Sequence, residues 1–128
     1  MDSDVLESMK TVYLSGKMAG IPDLNRDSFK EAREILRSRG YIVVCPHENS
    51  QDHLDQSRAF HMRRDIEHVL EVDGLFVLPG YRMSRGACLE IAVALEIGIP
   101  VREFGTDKPI TSVIVPIIVA EDPGGKAR

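Results

Sequence analysis

The chain reads Leu75-Phe-Val-Leu-Pro-Gly-Tyr-Arg-Met-Ser-Arg-Gly-Ala-Cys-Leu-Glu-Ile-Ala-Val-Ala-Leu95 through the part that decides its fold. The apolar run 75–78 predicts a buried strand, and the helical spacing of the apolar residues after it predicts a helix over about 86–98. Ser84 and Glu90 therefore lie around the start of a helix that follows a strand. Such a helix start leaves backbone N–H groups available to phosphate or carboxylate.

Further strands are predicted on both sides of this unit. They share short apolar runs bounded by polar or glycine-containing segments, and they cover 11–15, 41–45, 75–78 and 100–104. The second, 41–45, is almost entirely apolar, as expected for a strand covered on both faces. A fifth strand is predicted over 112–119, where Pro116 would place it at an edge or break it.

Helical patterns alternate with these strands. One covers 27–39, with Asp27 as its N-cap and Gly40 as its C-terminal stop. Another follows the polar stretch 46–57 and carries Ala59, Met62, Ile66 and Val69 on one side. The alternation predicts a single-domain α/β fold, Rossmann- or flavodoxin-like, with a mainly parallel sheet of four or five strands flanked by helices. Ligands of such sheets bind at the carboxyl ends of the strands.

Length and composition restrict the class of protein. The 128 residues predict one domain over 11–120, with flexible tails at 1–10 and 121–128. The longest apolar stretch, 113–120, is too short to span a bilayer, so no membrane association is expected. A net charge of −4 with scattered basic residues provides no face for a nucleic acid polymer.

The expected location is the cytoplasm. No signal peptide is visible at the N-terminus, because 1–10 lacks an apolar central run. Cys45 and Cys88 lie inside apolar runs, where a reduced thiol behaves as a small core residue.

Three residues near the predicted helix start are candidates for chemistry. Glu90 lies about 90° from the centre of the apolar face and can face a cleft. Each candidate also has a purely structural interpretation. Glu90 would be a boundary glutamate favoured by the helix dipole, Ser84 a helix cap, and Gly86 a residue chosen for an unusual backbone angle.

Two candidates lie elsewhere in the chain. Asp65 lies on the flank of its helix and can face the same cleft, or it can pair on the surface with Arg64 or His61. Tyr13 lies in an apolar strand, where a buried ring with a hydrogen-bonded hydroxyl is the default interpretation.

Metal and cofactor motifs are not found. The histidines, whose spacing matches no zinc pattern, are His47, His53, His61 and His68. Neither the P-loop nor the dinucleotide-binding glycine motif occurs. No metal and no organic cofactor are expected.

The segments Val12-Tyr-Leu-Ser-Gly16, Asp65 and Ser84-x-Gly86-x-x-x-Glu90 together resemble the nucleoside 2-deoxyribosyltransferase-like superfamily, over about 11–101. The pattern is most similar to the nucleotide N-glycosidase branch, which comprises 2'-deoxynucleoside 5'-phosphate N-hydrolases and cytidylate N-ribosidases. It also resembles small phage and bacterial proteins of unassigned function. Transferases of this superfamily typically carry aspartate six residues before the catalytic glutamate, whereas the hydrolases carry a serine that contacts the 5'-phosphate. Ser84 is at that position.

The resemblance implies roles for individual residues. Glu90 would be the nucleophile, Asp65 would orient the sugar or assist proton transfer, and Tyr13 would position the glutamate. The residues assigned to the substrate or its phosphate are Ser84, Gly86, Arg85, Gly16, Ser15 and Lys17. A neighbouring subunit often completes the pocket in this superfamily, which implies a homodimer or larger assembly.

The predicted function is hydrolysis of the N-glycosidic bond of a nucleoside or deoxynucleoside 5'-monophosphate, giving free base and sugar 5-phosphate. Two alternatives remain open, transfer of deoxyribose between bases and a non-catalytic nucleotide sensor or sponge. A response-regulator-like module is disfavoured, because the paired carboxylates expected after its first strand are absent. The loop 17–20 differs from the hydrolase loops, so the base is not predicted. Whether the sugar carries a 2'-hydroxyl is not predicted either.

Overall fold

The computed structural model describes residues 9–46 and 57–115. Its elements are, in chain order, β1 (Thr11–Ser15), α1 (Arg26–Ser38), β2 (Ile42–Val44), α2 (Arg58–Glu71), β3 (Gly74–Val77), α3 (Arg85–Glu96) and β4 (Val101–Glu103). Short 3-10 turns, Pro22–Asn25 and Tyr81–Met83, lie before α1 and α3.

The four strands form one parallel sheet in the order β2-β1-β3-β4. The predicted α/β fold with a parallel sheet and flanking helices is confirmed. Because β1 and β3 occupy the centre, their carboxyl ends and the loops that follow them lie side by side. Leu78, just after β3, donates its N–H to the carbonyl of Ser15 at 2.9 Å, which extends this pairing beyond the strand.

The two faces of the sheet are covered by different helices. Alternation along β1 sends Val12 and Leu14 to the face packed by Phe29, Ala32 and Leu36 of α1. The opposite face carries Tyr13 and packs against both α2 and α3, through a cluster that includes Val69, Ala87, Ile91 and Ala94. The face covered by α2 and α3 is the one toward which Glu90 and Asp65 turn.

Two predictions about the strands are corrected. The strand predicted over 41–45 as covered on both faces is the edge strand β2, and its Ile42 is 64% exposed. No strand forms over 112–115, the described part of the predicted fifth strand, and 116–119 lie outside the described residues. Pro109 instead makes an isolated antiparallel bridge to Arg102.

The start of α1 also differs from the prediction. Asp23, Leu24 and Asn25 all have left-handed backbone angles, with φ of 53°, 54° and 61°. The helix begins at Arg26, so Asn25 occupies the N-cap position and Asp27 lies inside the first turn. Gly40, with φ of 98°, follows the last turn as predicted.

The N-terminal boundary of the packed region lies earlier than the predicted tail implies. Met9 is 3% exposed and packs with the α1 side of the core. A side chain on Gly74 would overlap the Met9 thioether. Within 9–46 and 57–115, no helix has the length and apolar character needed to cross a membrane.

Candidate active site

Glu90 lies in the second turn of α3 and is 6% exposed. Side chains two apart on a strand share a face, so Tyr13 and Ser15 of β1 both point toward it. The Tyr13 hydroxyl donates to Glu90 Oε2 at 3.1 Å, and the Ser15 hydroxyl donates to Oε1 at 2.6 Å. Both carboxylate oxygens are therefore held by hydroxyl groups of one strand.

Asp65 joins this group from α2. It is 8% exposed, and its negative charge acts on both Glu90 and Tyr13. The structure thus brings together the three residues predicted as catalytic, Glu90, Asp65 and Tyr13, although they come from three different elements. We refer to Glu90 and Asp65 below as the acid pair.

Burial makes both carboxylic acids of the pair weaker. Loss of hydration, and after it the negative charge of Asp65, raise the pKa of Glu90 to about 8. Hydrogen bonds from Ser15 and Tyr13 and the positive charge of Arg58 oppose this rise without offsetting it. Burial likewise raises the pKa of Asp65 to about 6, against the Tyr13 hydrogen bond and the charge of Arg64.

These values determine what the acid pair can do near neutral pH. Between about pH 6 and pH 8 the two carboxyl groups share one proton, so one is an acid and the other an anion. Tyr13 stays protonated, because burial and the neighbouring Glu90 charge raise its pKa well above the usual value. A pair with one proton can supply a nucleophile or base together with a general acid.

The start of α3 has the geometry of a capped helix. The Ser84 hydroxyl accepts the N–H of Ala87 at 3.1 Å, and the N–H of Cys88 reaches the Ser84 carbonyl at 2.9 Å. The N–H groups of Arg85 and Gly86 lie in the first turn, where a helix offers no backbone acceptor, and they point out of its N-terminal end. Ser84 is therefore a helix cap, and its contact with a phosphate stays a prediction.

Gly86 is not explained by backbone conformation. It lies in the first turn of α3 and is not among the residues with positive φ, so the interpretation by an unusual backbone angle is wrong. A Cβ there would lie 3.8 Å from Met62 Sδ and 3.9 Å from Arg58 Nη2, which are ordinary contacts. Neither strain nor packing within the described residues requires glycine at this position.

The loop after β1 is attached to the same region. Lys17 Nζ donates to the carbonyl of Met83 at 3.3 Å, directly before Ser84. Gly16 is buried, and a Cβ on it would come within 3.0 Å of Leu78, so Gly16 lets the ends of β1 and β3 approach. Arg85 occupies the first position of α3 and is partly buried.

Arg58 is a site residue that the sequence did not single out. It is the first residue of α2, its guanidinium lies near Gly86, and its charge acts on Glu90. The sequence did contain a signal for Arg58. A positive side chain in the first turn of a helix is disfavoured by the helix dipole, so another role is expected for it. The preceding segment, 47–56, lies outside the described residues.

Metal ligation has no support from the part of the chain that the structure describes. Among those residues, no group of three or more His, Cys, Asp or Glu side chains is arranged to hold an ion. His61 and His68 lie on α2, whereas His47 and His53 lie outside the described ranges.

Solved structures with this architecture include two enzymes. A 2-deoxyribosyltransferase from the psychrotolerant bacterium Bacillus psychrosaccharolyticus superposes with a TM-score of 0.61 at 22% identity, over 86% of this chain and 77% of its own. A 2-deoxyribosyltransferase from Leishmania mexicana gives 0.57 at 18%, over 74% and 63%. A conserved protein from Enterococcus faecalis V583 gives 0.56 at 25%, over 75% and 63%. The chain thus spans less than two thirds of the last two.

These likenesses establish that the chain shares the fold of the 2-deoxyribosyltransferases, in agreement with the predicted superfamily resemblance. No curated protein matches the sequence. One family profile does match it, over residues 10–103, which include all four strands and the acid pair. The chain belongs to the family described as Domain of unknown function (DUF4406).

Proposed function

We propose that the protein hydrolyses the N-glycosidic bond of a nucleoside or deoxynucleoside 5'-monophosphate, releasing free base and sugar 5-phosphate. One observation carries the proposal. Glu90 is buried, accepts hydrogen bonds on both carboxylate oxygens, and lies beside a second weak acid, Asp65. Glu90 lies in the second turn of α3, whose start can hold an anion.

The acid pair accounts for both halves of a double displacement. Because Glu90 is the weaker acid, the shared proton lies mainly on Glu90 in the free protein, and the reactive form is the tautomer in which Asp65 carries it. In that form, ionised Glu90 attacks C1' of the sugar while the base leaves and takes the proton from Asp65. The resulting glycosyl ester of Glu90 is then cleaved by water. Asp65, now ionised, removes a proton from that water, and the shared proton returns to the pair.

Burial gives these groups their catalytic effect. Cleavage of the bond builds positive charge on the sugar ring, and a carboxylate with little surrounding water stabilises that charge strongly. The same burial raises the pKa of Glu90, which makes it a weaker acid. The reactive form, with Glu90 ionised and Asp65 protonated, exists only while the acid pair holds a single proton. The geometry therefore favours chemistry near neutral pH.

The charges around the helix start suit a phosphorylated substrate. Lys17 lies against the residue before Ser84, Arg85 opens α3, and Arg58 approaches Gly86 from α2. Three basic residues thus lie around the start of α3, and the charge of Arg58 also acts on Glu90. A 5'-phosphate held there would use its binding energy to align C1' with Glu90.

Transfer of deoxyribose to a second base is the other candidate, and it is favoured by the shared fold with two 2-deoxyribosyltransferases. The two reactions differ only in whether water or a base takes the sugar from the ester. Ser84, at the position where the resemblance places serine in the hydrolases, favours water.

The decisive experiment incubates the protein with ribo- and deoxyribonucleosides, each with and without a 5'-phosphate, and separates free bases by chromatography. We expect base release from at least one 5'-monophosphate and little from the matching nucleoside. Adding a second free base should yield no new nucleoside or nucleotide. Tight nucleotide binding without release from any substrate would instead indicate a sensor or sponge.

Gly86→Ala tests the phosphate part of the proposal. A methyl group fits between Met62 and Arg58, so the fold should be kept, whereas close approach of a phosphate to the N–H groups should be hindered. We expect KM to rise about tenfold for the 5'-monophosphate, the effect of losing one hydrogen bond to a charged group. KM for the nucleoside should stay constant, and an equal rise for both would contradict a phosphate at this helix start.

We also propose, on the resemblance alone, that the protein assembles as a homodimer or larger oligomer. Sedimentation equilibrium across a range of protein concentrations measures this directly, and a monomer throughout would contradict it.

A further inference from the structure

Ser15 has a position that separates it from the other residues assigned to the substrate. It ends β1, has no exposed surface, and its hydroxyl lies 2.6 Å from Glu90 Oε1. This is shorter than the contact between Tyr13 and Oε2, which is 3.1 Å. A serine without exposed surface cannot contact a ligand that arrives from solvent unless the site rearranges.

The backbone holds this hydroxyl in place. Ser15 pairs with Val77 in the parallel register of β1 and β3, and its carbonyl accepts the N–H of Leu78 at 2.9 Å. The residue therefore belongs to the rigid centre of the sheet, and only its single side-chain torsion remains free. Its hydroxyl can donate to the carboxylate and accept from the carboxylic acid, so the contact persists in either protonation state of Glu90.

We propose that Ser15 is a positioning residue for Glu90, which fixes Oε1 from the central strand and does not bind the substrate phosphate. Tyr13 does the same for Oε2, so the two hydroxyls together define the plane of the carboxylate. Each carboxylate oxygen has a second lone pair, which leaves one free to attack C1'. In the glycosyl ester, the oxygen that has not attacked becomes the carbonyl and keeps its hydroxyl donor.

Among residues 9–46 and 57–115, four polar or charged groups act on Glu90 from the elements packed against it. They are Tyr13 and Ser15 on β1 and Asp65 and Arg58 on α2. Removing the Ser15 hydroxyl takes away a donor that favours the anion and leaves the charges of Asp65 and Arg58 unchanged. The effect of the Ser15 hydroxyl on the ionisation of Glu90 should therefore be separable from the effects of Asp65 and Arg58.

The first test needs no substrate. The ¹³C-carboxyl resonance of Glu90, assigned with Glu90→Gln, is titrated in the wild-type protein and in Ser15→Ala. We expect the pKa of Glu90 to rise by about one unit in Ser15→Ala, a tenfold change in its ionisation constant, because a hydrogen bond to a charged group is lost. Ser15→Cys, with a weaker donor of similar size, should fall between the two and also serves if the alanine variant does not fold.

The matched control is Ser38→Ala, whose hydroxyl bonds the Ile35 carbonyl on α1, on the other side of the sheet. It should leave the titration of Glu90 unchanged. An unaltered titration in the folded Ser15 variant overturns the proposal, whatever the protein does with nucleotides.

The kinetic test rests on the proposed function. Ser15→Ala should lower kcat about tenfold, by the same change in carboxylate ionisation and alignment, with KM for the 5'-monophosphate unchanged. A rise in KM confined to phosphorylated substrates would instead show a phosphate contact and overturn the inference. If wild-type protein releases no base, the hydrolase proposal fails, while the titration still decides the role of Ser15.

Discussion

The two ends of the central strands carry carboxylates in opposite environments. At the amino end, exposed Asp73 accepts the backbone N–H groups of Thr11 at 2.9 Å and Lys10 at 3.1 Å. These bonds, led by that from Thr11, lower the pKa of Asp73 below its usual 3.8. At the carboxyl end, burial raises the pKa values of Glu90 and Asp65.

The difference separates a structural carboxylate from chemically useful ones. Asp73 is ionised at neutral pH, and its ionised form stabilises the start of β1. The acid pair is held by the fold in spite of the cost of ionising it. Because strongly perturbed pKa values cluster at functional sites, the contrast supports the proposal that the reaction takes place at the carboxyl end of the sheet.

Glu90→Gln should produce the largest effect. We expect the hydrolysis rate to fall by about a thousandfold or more, because the nucleophile is lost, while nucleotide binding is kept. The same change should raise the free energy of unfolding by about 1–3 kcal/mol at pH 8, where the cost of burying an ionisable glutamate has nearly reached its full value. Base release and urea denaturation measure the two effects.

Glu96→Gln is the control for this variant, since Glu96 is an exposed glutamate on the same helix. It should change neither rate nor stability appreciably. A Glu90→Gln protein that hydrolyses nucleotides at the wild-type rate would end the proposed mechanism.

Asp65→Asn should have the next largest effect on turnover. We expect the rate to fall by about a hundredfold, within the range for loss of a general acid and base. The pKa of Glu90 should also decrease, because the negative charge of Asp65 helps to raise it. Rate measurements on substrates whose bases differ in leaving ability test Asp65 as the general acid. The loss of rate in Asp65→Asn should be greatest for the poorest leaving group.

The pH dependence of stability should differ between the two ends of the sheet. The folded pKa values of the acid pair lie above the ordinary ones, 4.5 for Glu90 and 3.8 for Asp65, so the folded protein binds more protons than the unfolded chain. The free energy of unfolding should therefore fall as pH rises, over 3.8 to about 6 for Asp65 and over 4.5 to about 8 for Glu90.

Chemical denaturation across this pH range checks the expectation. Glu90→Gln should flatten the upper part of the curve. Activity should in turn follow a bell with limbs near pH 6 and pH 8, the range in which the acid pair holds one proton. Stability that increases steadily from pH 5 to pH 8 would show that the acid pair is not buried in solution.

The sequence was sufficient for the parts of the molecule that depend on local pattern. Strand and helix alternation predicted the parallel sheet, and helical periodicity placed Glu90 and Asp65 toward one cleft. Periodicity did not predict that β2 lies at the sheet edge, because its apolar run suits a central strand equally well.

Features that arise from distant packing were not predictable. The resemblance assigns Ser15 to the substrate or its phosphate, although its alternation with Tyr13 also places it on the side of Glu90. The raised pKa of Glu90 depends on burial by three elements, and the approach of Arg58 to Gly86 depends on how α2 packs against α3. No spacing within one segment specifies either.

Asp73→Asn should give the smallest effect, and it tests the comparison from the structural side. Its lowered pKa means that its stabilising contribution is present above about pH 3.8 and is lost as pH falls through the folded value. Because the residue is exposed, the variant should lower Tm at pH 7 by less than about 4 °C and leave base release unchanged. The difference in Tm between the two proteins should therefore shrink as the pH is lowered below 3.8. A loss of activity with intact folding would show that the amino end of the sheet also serves the reaction, because no carboxylate there contacts the acid pair within the described residues.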